Sequence, residues 1–436
     1  MLERLTAILK NTREITGFKI SAVEEETEEF FLIGKELDMD RGKRVRHFLM
    51  TVYRDFEANG VRYKGSASAR IHPTMNEAEI RRSVAETAYA AGLVKNPFYP
   101  LARPAAGNVS APSWRDVGKP VSRGFVALAE VLFPQDGTDA AELNSTEIFL
   151  TRSATRVINS EGVDLRQRSY RGQVELITVA RNAGHEVELY RDLKFAELNP
   201  ETFRAKVGEM RRLAREKARA VPTPALRKHT VLLSGEPVKE FFQYYYVQTA
   251  AKSAYEGISA AKPGQSVQGE TVRGDALRME LDPGLTGSVE SAAFDEDGFL
   301  LEKVEIIRDG RFLRYWGNQQ YCHYMEAVPT GSIKNVVIAG GERTAAVLKA
   351  GPHLELLAFS DFQMDPVTGD FGGEIRLGRY FDGVQTIPVA GGSISGNIRT
   401  VQKEMYFSRE LQYENNFVGP ATVKLLNVAV TGAEEN

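Results

Sequence analysis

Apolar residues recur at helical spacing at the start of the chain and then alternate with polar ones. Leu2, Leu5, Ile8 and Leu9 predict a short helix over residues 1–14. Strand character follows in four segments: 17–21, 29–32, 45–56 and 65–71. Asn76 and Glu79 then have the spacing of a capping box, which predicts the start of a second helix.

The same order of elements recurs further along. Residues 96–122 are rich in Pro, Gly, Ser and Ala and predict a connector. Strands are predicted again in four segments, with turns at 159–162 and near Gly172: 147–151, 155–158, 162–170 and 173–181. Asn199 and Pro200 predict a helix start, as N-cap and first helical residue. We therefore predict a duplicated α+β unit, over about 15–95 and 145–220.

Two prolines, Pro222 and Pro224, favour extended backbone and mark the predicted domain boundary. An amino-terminal α+β domain would span 1–222 and a β-rich domain 223–436. A helix is predicted from about Pro237 to Tyr255, and strands and turns predominate over 285–430. The predicted turns in that region are 297–298, 309–310, 340–341, 372–373, 382–383 and 391–392. The predicted fold class is α+β, a duplicated strand-rich amino-terminal half followed by a β-rich antiparallel carboxyl-terminal half.

Composition narrows the class of protein. The chain has 436 residues, 42% of them hydrophobic and 26% charged, as in ordinary globular proteins. Its single cysteine, Cys322, excludes a disulfide framework. A net charge of −3 makes nucleic acid an unlikely partner. The charged amino terminus lacks the apolar stretch of a signal peptide, and no run is long enough for a membrane span, so a cytoplasmic protein with no membrane contact is expected.

No metal-binding pattern emerges from the six histidines. His185-Glu186 opens a zinc-peptidase motif, but Leu189 and Tyr190 stand where the second histidine would be needed. Cys322 and His323 are neighbours in a predicted strand and would point to opposite faces. From the residues alone, neither a metal ligand nor a catalytic residue is predicted.

Other catalytic motifs are also missing from the sequence. The serines of 391–396 lack the spacing of a nucleophile elbow, and no glycine-rich phosphate loop opens a helix. Glu236 and Glu240 stand four residues apart near a helix start and are candidate cleft acids. Acids in a first turn also stabilise the helix dipole without any catalytic role, so both readings stay open.

Several stretches of the chain resemble the TldD/PmbA family, also named for modulation of DNA gyrase. Residues 289–317 are similar to its acidic hairpin, with Asp297 and Gly298 at the turn. Residues 366–397 are similar to its T-G-D-F segment and closing S-G-N. The matching turn residues there are Gly369, Asp370, Ser395, Gly396 and Asn397. The N-S-x-G turn within 156–170 also fits, and the resemblance covers most of the chain.

The resemblance implies a position within the family. TldD-type members carry His-Glu-x-x-x-His after the first strand of the carboxyl-terminal half, with a later cysteine that completes a zinc site. The corresponding stretch here, 231–243, contains no histidine, and no cysteine follows Asn397. The chain therefore resembles the TldE (PmbA) type and is expected to bind no cofactor. Zinc is expected in a TldD-type partner subunit, and together the two chains would cleave peptides or unfolded proteins.

Two further possibilities follow from the resemblance. One is a binding or regulatory protein without proteolysis, for example of DNA gyrase. The other is a homodimer when the TldD-type partner is absent.

Overall fold

The computed structural model describes residues 1–104, 122–133 and 141–433. The helices of the described part are α1 (Leu2–Lys10), α2 (Glu77–Gly92), α3 (Ser122–Leu132), α4 (Pro200–Lys217), α5 (Glu236–Gln248), α6 (Ala251–Tyr255), α7 (Gln319–Tyr324), α8 (Ala345–Leu348) and α9 (Ile398–Val401). Of the predicted connector 96–122, residues 105–121 lie outside the described residues.

The strands of the amino-terminal half are β1 (Gly17–Ile33), β2 (Glu36–Ala58), β3 (Val61–Ile71), β4 (Asn96–Pro97), β5 (Ala141–Asn159), β6 (Asp164–Asn182) and β7 (His185–Phe195). Those that follow are β8 (Val221–Pro222), β9 (Arg227–Ser234), β10 (Met279–Leu281), β11 (Val304–Arg308), β12 (Arg311–Phe312), β13 (Val336–Ile338) and β14 (His353–Met364). The last are β15 (Asp370–Phe381), β16 (Thr386–Ala390), β17 (Ser393–Asn397), β18 (Tyr406–Phe407), β19 (Leu411–Glu414), β20 (Phe417–Pro420) and β21 (Thr422–Thr431).

The amino-terminal half forms one seven-stranded antiparallel sheet, in the order β4-β3-β2-β1-β5-β6-β7. Three strands followed by a helix occur twice, as β1–β3 with α2 and as β5–β7 with α4. The two units meet where β1 and β5 pair antiparallel along nearly their whole lengths. The predicted α+β fold class is confirmed.

The strands are longer than the sequence predicts. Segments 17–21 and 29–32 belong to a single strand, β1, although the residues between them are mostly glutamates. β1 is paired on both sides, and its glutamates contact cations on the neighbouring strands: Arg46 lies 2.6 Å from Glu24, and Arg152 binds Glu26. Cross-strand ion pairs and a ladder on each side keep this polar stretch extended.

Two predicted turns are wrong for a common steric reason. Gly172 lies inside β6, and Gly372 and Gly373 lie inside β15. At Gly172 the ring of Phe195 occupies the position of a side chain, since an added Cβ would lie 2.1 Å from it. At Gly373 a Cβ would lie 2.8 Å from the carbonyl oxygen of Asp361. These glycines permit close packing within a strand, which is a recognised role beside that of turn formation.

Helices cover the two ends of one face of the seven-stranded sheet. At one end α1 buries Leu5, and α2 buries Ile80 and Val84, in a core with Ile20 and Met50. At the other end α3 and α4 form a second core with the far parts of β1, β5, β6 and β7. Both α2 and α4 begin as predicted: Asn76 closes a capping box, and Asn199 accepts a hydrogen bond from the backbone N–H of Thr202 at 3.0 Å.

We expect Asn76→Ala to lower the free energy of unfolding by about 1 kcal/mol, because it leaves a first-turn N–H without its acceptor. The Asn76 side chain now accepts from the N–H of Glu79 at 3.0 Å. Urea unfolding followed by circular dichroism measures the change. Glu86→Ala, an exposed change on the same helix, is the control and should shift the midpoint little. Equal effects of the two substitutions would contradict the capping role.

In the carboxyl-terminal half five strands close a ring. β14 pairs with β9, β9 with β21, β21 with β17, β17 with β15, and β15 again with β14. A six-stranded sheet, β12-β11-β10-β13-β20-β19, lies beside it. The largest core of the described residues fills the space between these strands and α5. Three strand pairs, β13–β20, β14–β9 and β16–β8, are parallel, unlike the rest.

Two other predictions in this half need correction. The helix predicted over 237–255 is interrupted at Thr249 and Ala250, where the N–H of Trp316 donates to the Thr249 carbonyl and splits it into α5 and α6. Cys322 and His323 lie in a short helix, α7, and not in a strand. Asn318 caps that helix by accepting from the N–H of Tyr321 at 3.1 Å.

Charged contacts join the two halves. Lys206 and Arg191 both contact Glu414, at 3.0 Å and 3.2 Å, and Arg379 contacts Glu216 at 2.8 Å. Residues 221 and 222 form β8, which pairs with β16 in the carboxyl-terminal sheet. The domain boundary between 222 and 223 stays a sequence-based prediction.

Among the described helices, none has the length and apolar character needed to cross a bilayer.

Candidate functional site

A cleft of about 570 Å³ lies where the two halves meet. One wall is formed by the edge strand β7, with residues 188–191, and by α4. The opposite wall is formed by the first turns of α5 and by residues 357–362 of β14. The cleft therefore draws on two sheets that are distant in sequence.

A second cavity of about 700 Å³ continues from the first. Glu240 and Asp361 line both cavities, and residues 363–366 and 370–373 line the second. Because the lining residues are shared, the two cavities form one groove along β14. We call this the α5–β14 groove.

β14 presents an unpaired backbone edge to the α5–β14 groove. It pairs with β9 only over Leu354, Glu355 and Leu356, so that among the described strands none pairs with 357–364 on that side. Its ladder with β15 is also irregular: register shifts flank Phe359, and Ser360 and Asp361 lack partners in it. An edge of this kind has free N–H and C=O groups for an extended peptide.

The structure places both candidate acids on the first two turns of α5, where they line the groove. Glu236 is exposed and Glu240 half-buried. Burial is the largest cause that raises the pKa of the Glu240 carboxyl; Lys239 opposes the shift, and Glu236 adds to it. Burial lowers the pKa of the Lys239 ammonium group, which the neighbouring acids partly offset. The three side chains form a mixed-charge cluster.

This cluster does not suit zinc. Zinc in proteins is held chiefly by imidazole and thiolate donors, with carboxylates as a minority. The groove lining contains neither histidine nor cysteine, and the positive charge of Lys239 acts on both acids. Over the described residues, no three His, Cys, Asp or Glu side chains are grouped as a metal site would need. The residues of this chain therefore do not fit a zinc ion at α5.

The structure brings five of the family turn residues together beside the groove. Asp370 faces Asn397 across β15 and β17, and the Asn397 amide donates to its carboxylate at 2.7 Å. This hydrogen bond is the main cause that lowers the pKa of Asp370. Asn397 also caps α9, and Gly369 adopts a φ of +82°, a conformation that favours glycine. Ser395 and Gly396 complete the cluster by pairing with Gly372 and Phe371.

These contacts give the five residues a structural role in shaping the groove. They fix the turn that leads into β15, and Asp370 lies at the groove surface. A Cβ at Gly396 would lie 2.4 Å from the ring of Phe371, which itself lines the groove. The cluster thus positions the groove wall.

Asp297 and Gly298 lie elsewhere, at the contact with the amino-terminal sheet. The Lys19 ammonium group contacts the Asp297 carboxylate at 2.5 Å. Burial lowers the pKa of Lys19, but Asp297, Tyr53 and Glu296 together outweigh it and the net shift is upward. Gly298 has a φ of +78°, and a Cβ there would lie 2.6 Å from Val163. This turn joins the two halves and does not belong to the groove.

Asp295 in the same hairpin also has a structural role. Burial is the main cause that raises its pKa to about 6, and the charge of Asp297 adds to it. Its carboxylate accepts from the backbone N–H groups of Asp297, Phe299 and Ser332, at 2.9–3.1 Å. These bonds fold the hairpin turn that the sequence predicts.

Cys322 and the histidines take no part in the groove. Cys322 is buried, its pKa is raised to about 11 by burial, and its thiol lies 3.4 Å from the carbonyl oxygen of Gly317. Among the histidines, His229 and His353 face the rings of Tyr380 and Phe381. These are packing roles.

Sequence reasoning missed the bulged part of β14. Ser360 accepts a hydrogen bond from the Arg376 guanidinium at 2.6 Å and donates one to Glu374 at 2.9 Å. The only sequence signal was the glycine pair in the facing strand, which the pattern assigns to a turn.

A broader groove of about 930 Å³, lined by Arg46, Arg166 and Arg168 among others, lies on the helix-bearing face of the amino-terminal sheet and holds none of the predicted site residues.

Known structures share this fold over nearly the entire chain. TldE from Thermococcus kodakarensis is similar with a TM-score of 0.80 and 15% sequence identity, covering 99% of this chain and all of that one. A proposed modulator of a DNA gyrase from Thermotoga maritima has a TM-score of 0.77 at 15% identity, covering 99% of both chains. Its counterpart from Bacteroides thetaiotaomicron has 0.76 at 14%, covering 99% of this chain and 98% of that one.

Sequence comparison identifies the family of the carboxyl-terminal domain. No curated protein sequence matches the chain. Residues 227–432 match the PmbA/TldA metallopeptidase C-terminal domain, which contains α5, the ring of strands and the groove-shaping turns. The carboxyl-terminal domain of the chain, residues 227–432, therefore belongs to the TldD/PmbA family.

Proposed function

We propose that this chain is a non-catalytic TldE/PmbA-type subunit of a heteromeric zinc metallopeptidase that acts on peptides or unfolded proteins. The observation that carries the proposal is the α5–β14 groove. A peptidase-related domain here has a groove with a free strand edge, and the helix beside it carries two acids and a lysine. The groove can hold a peptide, but its lining has no histidine or cysteine to bind zinc.

The free edge of β14 gives the subunit its part in the reaction. An extended peptide adds to such an edge through main-chain hydrogen bonds, which depend little on sequence. Arg191, Lys217 and Arg376 and the acids of α5 line the same groove, so both signs of charge are available to side chains of the peptide. This fits binding of diverse unfolded segments. Bond cleavage is assigned to a TldD-type subunit that supplies the zinc and its activated water.

The proposal predicts that the purified chain alone has no peptidase activity and holds no stoichiometric zinc. Co-expressed with a His-Glu-x-x-x-His-bearing relative, it should form a stable complex that cleaves unstructured peptides and is inactivated by a chelator. Elemental analysis and a fluorogenic peptide assay measure both properties, on the single chains and on the complex.

Glu236→Gln and Glu240→Gln are the controls. Neither acid is assigned to zinc, so each variant complex should keep the zinc content of the wild-type complex. One zinc per chain in the isolated protein, lost in either variant, would contradict the proposal. Failure to form any complex, together with salt-sensitive binding to gyrase or DNA, would instead favour the non-proteolytic alternative.

A further inference from the structure

The broader groove on the helix-bearing face of the amino-terminal sheet lies between the two helix-covered ends, and we call it the arginine groove. Ile20 and Met50, which face each other across β1 and β2, belong to the core under α1 and α2. Tyr170 on β6 belongs to the core under α3 and α4. Between these two cores the sheet leaves about 930 Å³ open, with the first residues of α1 at the rim.

The sheet register builds the floor of the arginine groove from two neighbouring rows of side chains. Directly opposite residues share a face of an antiparallel sheet, and so do residues two positions apart on one strand. From β2 through β1 and β5 to β6, one row is Arg46, Glu24, Ala154 and Arg168. The other row is Phe48, Ala22, Arg156 and Arg166. Cations therefore gather at the β6 end, and small apolar side chains lie in the middle.

Positive charge at the β6 end of the groove is only partly neutralised. Arg156 contacts Asp164 at 2.6 Å. Arg166 and Arg168 are both exposed, and neither makes an ion pair with a residue that the structure describes. Arg166 also stands directly opposite Arg156, and like charges in that position repel each other. An anionic ligand at this end would reduce the repulsion.

The β2 end of the groove is balanced in charge. Glu24 contacts Arg44 at 2.5 Å and Arg46 at 2.6 Å. Hydrogen bonds from these two arginines, Arg46 first, lower the pKa of the Glu24 carboxyl, so that it stays ionised and holds them. The arginine groove thus has one end that can bind an anion and a partly apolar remainder with Ala22 and Ala154 at its centre.

We propose that the arginine groove binds a short acidic segment of polypeptide. Two neighbouring carboxylates of that segment lie on Arg166 and Arg168, and the apolar side chains next to them lie over Ala154 and Ala22. Guanidinium groups hold carboxylates through paired hydrogen bonds. Arg166 and Arg168, two positions apart on a strand, are separated by about 7 Å, which leaves room for one carboxylate on each. From β2 to β6 the rows span three strand spacings, about 14 Å, the length of roughly four extended residues.

The floor of the groove favours a polypeptide over a nucleic acid. Proteins that bind single-stranded nucleic acid stack its bases on accessible aromatic rings. Phe48, the aromatic residue of the described lining, is only 4% exposed. The net charge of −3 also gives no long-range attraction for a polyanion. An acidic peptide carries fewer charges and brings apolar side chains that suit the alanines of the floor.

This inference is independent of the proposed function, since the arginine groove shares no lining residue with the α5–β14 groove. Fluorescence anisotropy of the isolated chain tests it, with a labelled dodecapeptide whose Glu-Glu-Ala-Leu core is flanked by glycine and serine. We expect saturable binding that weakens as salt is added, because the contacts are ionic. A peptide with a Gln-Gln-Ala-Leu core should bind at least tenfold more weakly, and one with a Glu-Glu-Ser-Ser core several-fold more weakly.

Arg166→Gln and Arg168→Gln should each weaken binding of the acidic peptide about tenfold, the scale of a lost hydrogen bond to a charged group. Arg166→Lys combined with Arg168→Lys keeps both charges and should retain most of the affinity, which also shows that this face tolerates substitution. Arg181→Gln, at an exposed position further along β6 and outside the groove, is the matched control and should bind like the wild type.

Four results would overturn the proposal. They are no binding of the acidic peptide, equal binding of the glutamate and glutamine peptides, full affinity in both Arg166→Gln and Arg168→Gln, and binding that is lost instead in Arg376→Gln. The last would place the peptide in the α5–β14 groove. A labelled single-stranded oligonucleotide of the same length that binds more tightly than the acidic peptide would assign the groove to nucleic acid and reject the peptide. Zinc content and cleavage by the co-expressed complex do not enter this test, so its failure leaves the proposed subunit role standing.

Discussion

Phe242→Ala is expected to lower the free energy of unfolding by about 3–5 kcal/mol, the range for truncating a large buried aromatic side chain. Phe242 lies on α5 and is 1% exposed. Its ring meets Phe241, Phe407 and Phe417 at centroid distances of 5.7, 5.5 and 6.1 Å. Phe407 and Phe417 lie on β18 and β20, far from α5 along the chain, so the cavity left behind cannot close by a local shift.

Chemical unfolding followed by tryptophan fluorescence measures this loss, since Trp316 lies in the same half and packs against that core. Tyr89→Ala on α2 is the matched aromatic control: Tyr89 is 69% exposed, and its loss should change the free energy by less than about 0.5 kcal/mol. A similar small change for Phe242→Ala would mean that α5 is not anchored in the core.

The anchoring of α5 matters for the α5–β14 groove. The helix buries Val238, Phe241 and Phe242 on one face and presents Glu236 and Glu240 on the other. Any loosening of the aromatic face moves the acidic face relative to β14. Phe242→Ala should therefore also weaken peptide binding by the complex, although the ring lies away from the groove.

The sequence predicted the parts of the fold that depend on local chemistry. The starts of α2 and α4 were correct because Asn76 and Asn199 satisfy backbone donors within their own first turns. The extent of β1 was underestimated because Glu24 and Glu26 look like loop residues until Arg46 and Arg152 are placed beside them. That placement depends on sheet order, which no local pattern contains.

The candidate site was predictable to a similar degree. Glu236 and Glu240 follow from their position at a helix start, and the resemblance located the turns at Gly369 and Asn397. The free edge of β14 could not be foreseen from the sequence. β14 is free beyond Leu356 because its pairing with β9 ends there. The placement of Asp297 against Lys19, away from the groove, likewise depends on how the two halves pack.

The second large effect is expected at Glu355, a carboxylate that is 4% exposed in β14. It accepts from Ser234 at 2.9 Å and contacts Lys349 at 2.7 Å and Arg379 at 3.3 Å. Glu355→Gln keeps the shape but removes the charge that these two cations contact. We expect a loss of about 2 kcal/mol in the free energy of unfolding at neutral pH, the scale of hydrogen bonds to charged groups.

The pKa shift of Glu355 determines how the loss of stability in Glu355→Gln changes with pH. Burial alone would raise the pKa of Glu355, but Lys349, Arg379 and Ser234 together bring it below the ordinary value of 4.5. A carboxyl group whose pKa is lowered by folding stabilises the protein above its unfolded pKa and loses that contribution as the pH falls through the folded pKa. The difference between wild type and Glu355→Gln should therefore be full at pH 7 and shrink as the pH falls below the ordinary pKa of 4.5.

Thermal and urea unfolding across that pH range test the point, with Glu86→Gln as the control. Glu86 is exposed on α2, so its substitution should leave the pH profile of the wild type unchanged. A Glu355→Gln variant whose deficit stays constant down to pH 3 would mean that the lost stability comes from packing and not from charge. A deficit that vanishes with protonation would establish that the ion pairs hold β14, and with it the free edge beyond Leu356, in place.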